Sequence, residues 1–273
     1  MKVLAIMGSP KKKGNTFRVV ERVKEQLIKM DGSIVFEFLF LKDCDIKMCT
    51  GCFTCFAQGE DRCPLKDDLS MIKQKMQAAD GILFAAPTYA MGVPGIMKNF
   101  IDRMAYTLHR PCFYDKAFMA VSTVGGIMGM KQALEQLALL SAGGKKTIKL
   151  GVPMPPIAMR GLKKKAQKSV QKAAKAFYGA MQNQKRKAPG LGDWAYFHAF
   201  KKMTAFDSYK TACPADYAYY QQRSEYFYAI KGHYLRRVLG RVFGGLMGFG
   251  IKLMVLKESK TAQEIPAAGV DAT

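Results

Sequence analysis

Between residues 2 and 182, a short apolar run gives way to a stretch of helical period five times over. Lys2–Met7, Ile34–Phe40, Gly81–Ala86, Ala117–Thr123 and Lys146–Val152 are apolar, rich in β-branched or aromatic residues, and too short for helices. Thr16–Met30, Asp67–Ala78, Pro94–Leu108, Met130–Ser141 and Gly161–Gln182 carry apolar residues three and four apart, as in Phe17, Val20, Val23 and Leu27. Asp67 or Asp68 suits an N-cap, and Pro94 suits a helix opening. Strands that alternate with helices run parallel, because each helix carries the chain back to the edge it left.

Five such units imply an α/β fold, a flavodoxin-like doubly wound five-stranded parallel sheet of order 2-1-3-4-5. Ligands of such sheets sit beyond the carboxyl ends of the strands. A basic, mainly helical C-terminal extension follows. The expected division is 1–184 for the sheet domain, 185–257 for the extension and 258–273 for a flexible tail, with the Pro/Gly pair in "KRKAPGLGD" at the boundary.

Composition excludes wholesale disorder, since 49% of the 273 residues are hydrophobic and 23% charged. The net charge of +22 is uneven: residues 1–150 hold 22 Lys/Arg against 14 Asp/Glu, and residues 151–273 hold 21 against 7. Such a surface attracts phosphates or anionic lipid. No recognised nucleic-acid module accompanies the charge, so a nucleic-acid partner is not expected. Met1–Met7 reads as a strand rather than a signal peptide. Seven cysteines, an odd number, fit a reducing cytoplasm.

Three strand-end loops carry the candidate binding residues. "GSPKKKGNT" follows the first strand: Gly8 and Gly14 let backbone approach closely, Ser9, Asn15 and Thr16 offer short polar groups, and a helix start supplies free N–H groups. It is neither a Walker loop nor a GxGxxG fingerprint, and an ordinary capped turn remains the alternative. "PTYAMGVPG" follows the third strand and "TVGGIMG" the fourth. Backbone N–H groups there suit the polar edge of a flat heterocycle, and Tyr89 and Met91 suit its face.

"IKMCTGCFTCFAQGEDRCPLKDD" holds Cys49, Cys52, Cys55 and Cys63 in the spacing C-x2-C-x2-C-x7-C, with Pro64 after the last. Three thiolates within seven residues can wrap one side of a cubane, and Gly51 eases the tight backbone. Zinc favours separated Cys pairs or added His, and no His is near. A [4Fe–4S] cluster, zinc, a thiol redox pair and a metal-free loop all stay open on spacing alone. Cys44, Cys112 and Cys213 lack partners at ligand spacing and are expected as small buried hydrophobes. His109 is expected as a helix cap or surface residue.

Together, "GSPKKKGNT", "CTGCFTC…CPLKDD", "AAPTYAMGVPGIMKNFIDR" and "STVGG" resemble the NADPH-dependent FMN reductase superfamily, and within it the iron–sulfur flavoprotein branch. The resemblance covers residues 1 to about 180. It implies an FMN-dependent NAD(P)H oxidoreductase, hydride passing from nicotinamide to flavin and on to an unknown small-molecule or protein acceptor, by way of a [4Fe–4S] cluster if one is bound. It assigns Ser9, Lys11, Asn15 and Thr16 to the FMN phosphate, and Pro87, Thr88, Tyr89, Met91, Thr123, Gly125 and Gly126 to the ring. Arg103 is either structural, paired near Asp102, or flavin-binding. The branch implies a homo-oligomer. The alternatives are a non-enzymatic electron carrier and a docking protein that has lost its cofactor.

In the extension, Gly240, Gly244 and Gly248 recur every four residues inside "RRVLGRVFGGLMGFGIKLMVLK". That spacing permits close helix contact. Arg241 and Lys252 interrupt the segment, so it is too short a span for a bilayer. Packing on the sheet domain or across a dimer, or peripheral contact at the inner membrane face of an otherwise cytoplasmic protein, are the expectations that follow.

Overall fold

The computed structural model describes residues 1–126, 128–157, 160–183, 188–230 and 232–261, with side chains through residue 253. The chain divides into two compact units, Met1–Cys55 with Glu60–Lys187, and Phe56–Gly59 with Ala188–Thr273.

The first unit is a five-stranded parallel sheet of order β2-β1-β3-β4-β5. In chain order the elements up to residue 182 are β1 (Lys2–Met7), α1 (Asn15–Met30), β2 (Val35–Phe40), the short α2 (Thr54–Ala57), whose residues divide between the two units, α3 (Leu69–Ala78), β3 (Gly81–Pro87), α4 (Gly95–Arg103), α5 (Tyr106–His109), β4 (Ala117–Val124), α6 (Met130–Leu139), β5 (Lys146–Pro153) and α7 (Leu162–Gln182). The central strands β1, β3 and β4 are buried almost throughout, and the edge strands β2 and β5 mix buried with exposed positions. That difference is what covering both faces of a parallel sheet requires.

Side-chain parity sorts the core into two layers. Val3, Ala5, Leu83, Met119 and Leu150 face α1 and α7, whose Val20, Val23, Ala174 and Phe177 are buried against them. Neighbouring positions face the other way: Phe84 lies 5.9 Å from Phe118 and 6.4 Å from Phe100 of α4. Register then fixes the site. Met7 pairs with Phe40 and Ala85, and Pro87 with Thr123, so the carboxyl ends of β1, β3 and β4 finish along one edge.

The expected single helix Pro94–Leu108 is two. Carbonyls of Phe100, Ile101 and Asp102 all bond the Met104 N–H, which closes α4 before α5 begins. Asp68 stands at the N-cap of α3, but its carboxylate accepts from the Asp45 N–H (2.8 Å); Asp67 instead accepts from Leu69 N–H (3.1 Å).

The second unit contains α8 (Leu191–Thr204), α9 (Asp207–Ala212), α10 (Pro214–Gln221) and α11 (Tyr234–Thr261). Trp194, Phe197 and Tyr220 are fully buried, and Phe197 meets Tyr220 at 5.5 Å and Phe227 at 5.1 Å. The glycine ridge of α11 lies on α8: a Cβ on Gly240 would sit 2.4 Å from Trp194 Cβ, and one on Gly244 2.5 Å from the Ala195 carbonyl oxygen. Part of the expected tail, residues 258–261, continues α11; residues 262–273 and the expected boundary at 184–187 lie outside the described residues. Among the described residues no helix is long and apolar enough to cross a membrane.

Adjacent glycines test this packing. Gly244→Leu is expected to cost about 1–3 kcal/mol through overpacking against backbone, measured by urea denaturation. Gly245→Ala, where a Cβ meets nothing within 4 Å, is expected to stabilise by about 1 kcal/mol through helix propensity.

Candidate functional site

At the carboxyl edge of the sheet, hydrogen bonds tie the three loops together. The Gly8 N–H donates to the Ala85 carbonyl (2.8 Å), and a Cβ on Gly8 would run into Met97 at 2.5 Å. Thr16, buried in the first turn of α1, pairs its hydroxyl with that of Thr123 at the end of β4 (2.7 Å). Thr88 completes the set: its N–H donates to the Thr123 carbonyl (2.7 Å), and its hydroxyl pairs with Ser122 (2.9 Å). Residues from three loops, far apart in sequence, therefore share one rim.

The start of α1 lies on this rim. It has no side-chain cap and no acid in its first turn, and Asn15 is exposed there. Its opening N–H groups and the positive end of its dipole are available to an anion. Ser9 is buried, and its hydroxyl is engaged within the loop, donating to the Lys11 carbonyl (3.0 Å) and accepting from the Lys11 N–H (3.2 Å). That turn shapes the loop, while the Lys11 side chain stays exposed. Lys12 turns away to Asp43 (2.5 Å).

The loop after β3 is strained. Tyr89 and Gly92 exchange both backbone hydrogen bonds at 2.9 Å, and Ala90 and Met91 between them take φ of 45° and 68°. Two left-handed central residues are the pattern of a type I′ turn, which ordinarily selects Asn or Gly. Here neither is glycine, and each costs about 1–2 kcal/mol. Strain of this kind persists where neighbours over-determine it. Gly129 supplies one such neighbour, since a Cβ there would sit 2.7 Å from the Met91 Cα and 2.9 Å from the Thr88 methyl. Tyr89 and Met91 are held out into solvent, 47% and 45% exposed. Both are thus available as a face rather than spent in the core. Gly125 and Gly126 are exposed beside them, with nothing within 4 Å of a Cβ at either. Pro87 ends β3 directly opposite Thr123. Exposed glycines, an exposed aromatic and an uncapped helix start are the groups that a flat ring and its phosphate use, so the residues present fit FMN.

The cysteine loop is clamped from below by α4. Arg103 pairs with Asp67 through both nitrogens (2.5 and 3.2 Å), with side chains 2% and 1% exposed. It also donates to the Lys47 carbonyl (2.8 Å), while Asp67 accepts from the Lys47 N–H (2.9 Å). Asn99, one turn earlier, accepts from the Cys49 N–H (3.0 Å) and donates to the Ile46 and Lys47 carbonyls. On the far side, Arg110 donates to the Cys55 carbonyl and pairs with Glu60 (3.2 Å). Arg103 is therefore structural, but its partner is Asp67; Asp102 pairs with Lys98. Asn99 went unread in the sequence, although its place four residues before Arg103, on a helix whose Met97, Phe100 and Ile101 are buried, is a usable signal.

Burial pushes the Asp67 carboxyl up, yet hydrogen bonds from Arg103, Leu69 and Lys47 and the guanidinium charge outweigh it and hold the carboxyl below its ordinary range. Hydrogen bonds from the Thr54 hydroxyl and N–H likewise hold the Cys52 thiol below its ordinary value, which favours the thiolate a metal needs. Arg103 also approaches the Cys63 sulfur (3.9 Å). Cys49 and Cys52 are exposed, and Cys55 and Cys63 half-buried. Among the described residues no three His, Cys, Asp or Glu side chains converge closely enough to hold an ion. The four cysteines share one anchored loop but not yet one centre. Outside it, Cys44, Cys112 and Cys213 are half-buried rather than fully buried, and burial pushes Cys112 up to about 12. His109 ends α5, also half-buried.

Residues 1–150 match the family described as NADPH-dependent FMN reductase. The chain belongs to that family. Its relatives include two iron–sulfur flavoproteins of Archaeoglobus fulgidus, 33% identical over 127 residues (46% of this chain, 56% of the relative) and 45% identical over 103 residues (38% and 48%). The chain thus spans about half the length of these two curated relatives. An iron–sulfur flavoprotein of Clostridioides difficile is 28% identical over 191 residues, 68% of this chain and 81% of the relative. Among solved structures, a flavone reductase superposes with a TM-score of 0.52 at 18% identity, covering 70% of this chain and 67% of its own, a likeness of fold.

Two substitutions probe this FMN reductase rim and its cysteine loop. Ala90→Gly relieves a left-handed alanine and is expected to raise stability by about 1 kcal/mol, read from the denaturation midpoint. Asp67→Asn leaves the Arg103 guanidinium buried without its counter-charge and is expected to cost about 3–5 kcal/mol. Because the Asp67 pKa is depressed on folding, the stability it contributes is present above the unfolded value of about 3.9. It is lost as pH falls through the lower folded value. The difference in stability between wild type and Asp67→Asn should therefore shrink on acidification below about pH 4 and stay constant from there to neutrality.

Proposed function

We propose that this chain is an FMN-dependent NAD(P)H oxidoreductase of the iron–sulfur flavoprotein kind, passing electrons to a small-molecule or protein acceptor. The observation that carries the reading is the shared rim: Thr16, Thr88 and Thr123 joined by hydrogen bonds beside an uncapped helix start. Ser9, Lys11, Asn15 and Thr16 would hold the phosphate. Pro87, Thr88, Thr123, Gly125 and Gly126 would bind the ring edge, and Tyr89 and Met91 its face. FMN, when bound, supplies the redox chemistry, taking a hydride from a nicotinamide and releasing electrons singly or in pairs.

The protein's own contribution is positional. Loop N–H groups orient the ring, the exposed Tyr89–Met91 turn sets which face a donor reaches, and no side chain is required as acid or base. Cys49, Cys52, Cys55 and Cys63 would ligate a [4Fe–4S] cluster, adding one-electron chemistry. The relatives' names and the α4 clamp support that assignment. Convergence of the four sulfurs would come with metal, as metal binding commonly orders its own ligands. A homo-oligomer is part of this reading, as the branch resemblance suggests.

Anaerobically purified protein is expected to show flavin bands over broad cluster absorption, with about four iron per chain, and prompt flavin bleaching by NADPH in a stopped flow. Flavin bands without iron reject the cluster, and zinc in its place reassigns the cysteines. Bound flavin that NADPH leaves oxidised supports a carrier fed by another protein, and a colourless protein that takes up no FMN defeats the whole reading. Thr16→Val removes a rim hydroxyl and leaves Thr123 without its partner. It is expected to cost about 1.5–3 kcal/mol of FMN binding, roughly ten- to a hundredfold in Kd, by flavin fluorescence titration.

A further inference from the structure

The glycine ridge of α11 is turned toward α8, so the opposite side of the helix is its free face. On that side Leu235, Leu239, Val242, Leu246, Phe249 and Leu253 succeed one another at three- and four-residue steps. All six stand in water, Leu235 at 70% and Leu246 at 63% exposure. From Tyr234 to Leu253 the stripe runs about 30 Å, at the helical rise per residue. A surface helix ordinarily presents polar residues here.

The borders of the stripe are cationic. Arg236 flanks one side, Arg241 and Lys252 the other, and no Asp or Glu occurs between Tyr234 and Leu253. A hollow of about 300 Å³ opens along the Arg241 border, lined by His198, Lys201, Lys202, Gln221 and Arg241. Its lysines are held in place: Lys201 donates to the Arg223 carbonyl, and Lys202 to the Gly245 carbonyl (3.2 Å). Glu225 offsets part of this charge, pairing with Arg237 and, at 3.2 Å, with Arg241.

We propose that α11 docks on the surface of an anionic phospholipid bilayer, its apolar stripe at the acyl boundary and the cationic hollow over headgroup phosphates. The charge pattern selects this occupant over a second copy of the chain. Two stripes meeting face to face would bring Arg236, Arg241 and Lys252 toward their like, with no acid between Tyr234 and Leu253 of either helix to pair them. An anionic surface accepts the same cations favourably, by roughly fivefold in partitioning for each, while its acyl region takes the leucines and Phe249. The helix lies on the bilayer rather than crossing it. This assignment is independent of the flavin reading, since every residue in it belongs to the second unit.

The test is flotation of the full chain with phosphatidylcholine vesicles, with and without about 30% phosphatidylglycerol, an anionic lipid. Binding is expected on the anionic vesicles, weakened tenfold or more on the neutral ones or in high salt. Leu246→Asp and Phe249→Asp should each abolish it; Leu246→Asp should keep the wild-type melting temperature because its side chain is exposed, whereas Phe249 also lies under the Lys202 ammonium at 6.0 Å. Arg236→Glu should erase the preference for anionic lipid. Failure to float with anionic vesicles overturns the proposal, as does flotation unchanged by both Asp variants. So does a lipid-free dimer in sedimentation that Leu246→Asp dissociates, which assigns the stripe to a second copy. Displacement from vesicles by inorganic phosphate, beyond that by chloride of equal ionic strength, assigns the hollow to a soluble anion and overturns the lipid reading.

Discussion

Parallel strands cannot be joined by hairpins, and everything in the first unit follows from that restriction. Each crossover helix returns the chain to the edge it left, so every strand ends at the same side of the sheet. Because β1 lies between β2 and β3, the chain leaves the sheet centre in opposite directions after β1 and after β3. The loops there diverge, and in sheets of this kind such a divergence leaves a crevice. Into that crevice the sequence puts glycines, short hydroxyls and one strained turn. The Thr16–Thr123 hydrogen bond spans it at 2.7 Å, joining the helix that follows β1 to the end of β4. The site is thus a consequence of connectivity before it is a consequence of any particular side chain.

The cysteine loop meets a different difficulty. It follows β2, an edge strand, and has almost no core of its own to hold it. Polar clamps substitute for packing. Buried charges are costly unless fully paired, and Arg103 with Asp67 meets that condition by a two-point pair whose remaining valences go to backbone of the same loop. The geometry fixes both ends of the segment around the four thiols. The stretch between them is left with unusual backbone, Gly51 and Phe53 at φ of 68° and 56°. Anchored ends around such backbone would suit the loop to the cluster proposed for it.

Periodicity made the five strands legible, because period-two and period-3.6 patterns are local properties of the chain, and the fold pattern of five alternating units supplied their order. The three rim loops were legible for a related reason, since they sit where apolar runs stop. What stayed hidden was long-range or unmarked. Arg103 adjoins Asp102 in sequence, yet its partner is Asp67, 36 residues away, and no local rule chooses between them. The break between α4 and α5 carries neither Gly nor Pro; it arises where Met104 N–H is shared among three carbonyls. The left-handed Ala90 and Met91 were invisible because only tertiary contact with Gly129 and Thr88 makes that conformation worth its strain. The cysteine spacing was plain, but spacing records ligand types and not their meeting.

The second unit shows the same division in another form. The four-residue glycine period of α11 correctly announced a close helix contact, and α8 fills it. Small residues on one side of a helix say nothing, though, about the other side. A helix that merely packed on α8 would be free to carry Lys and Glu outward, and selection for solubility would favour them. Instead α11 spends its outward face on leucine, valine and phenylalanine, keeps cations at the margins, and excludes acids between Tyr234 and Leu253. Contact with α8 needs none of those three features, and an anionic, apolar-cored surface rewards each of them. On the proposed docking, the outward face of α11 answers to what lies outside the fold, as its glycine ridge answers to α8 within it.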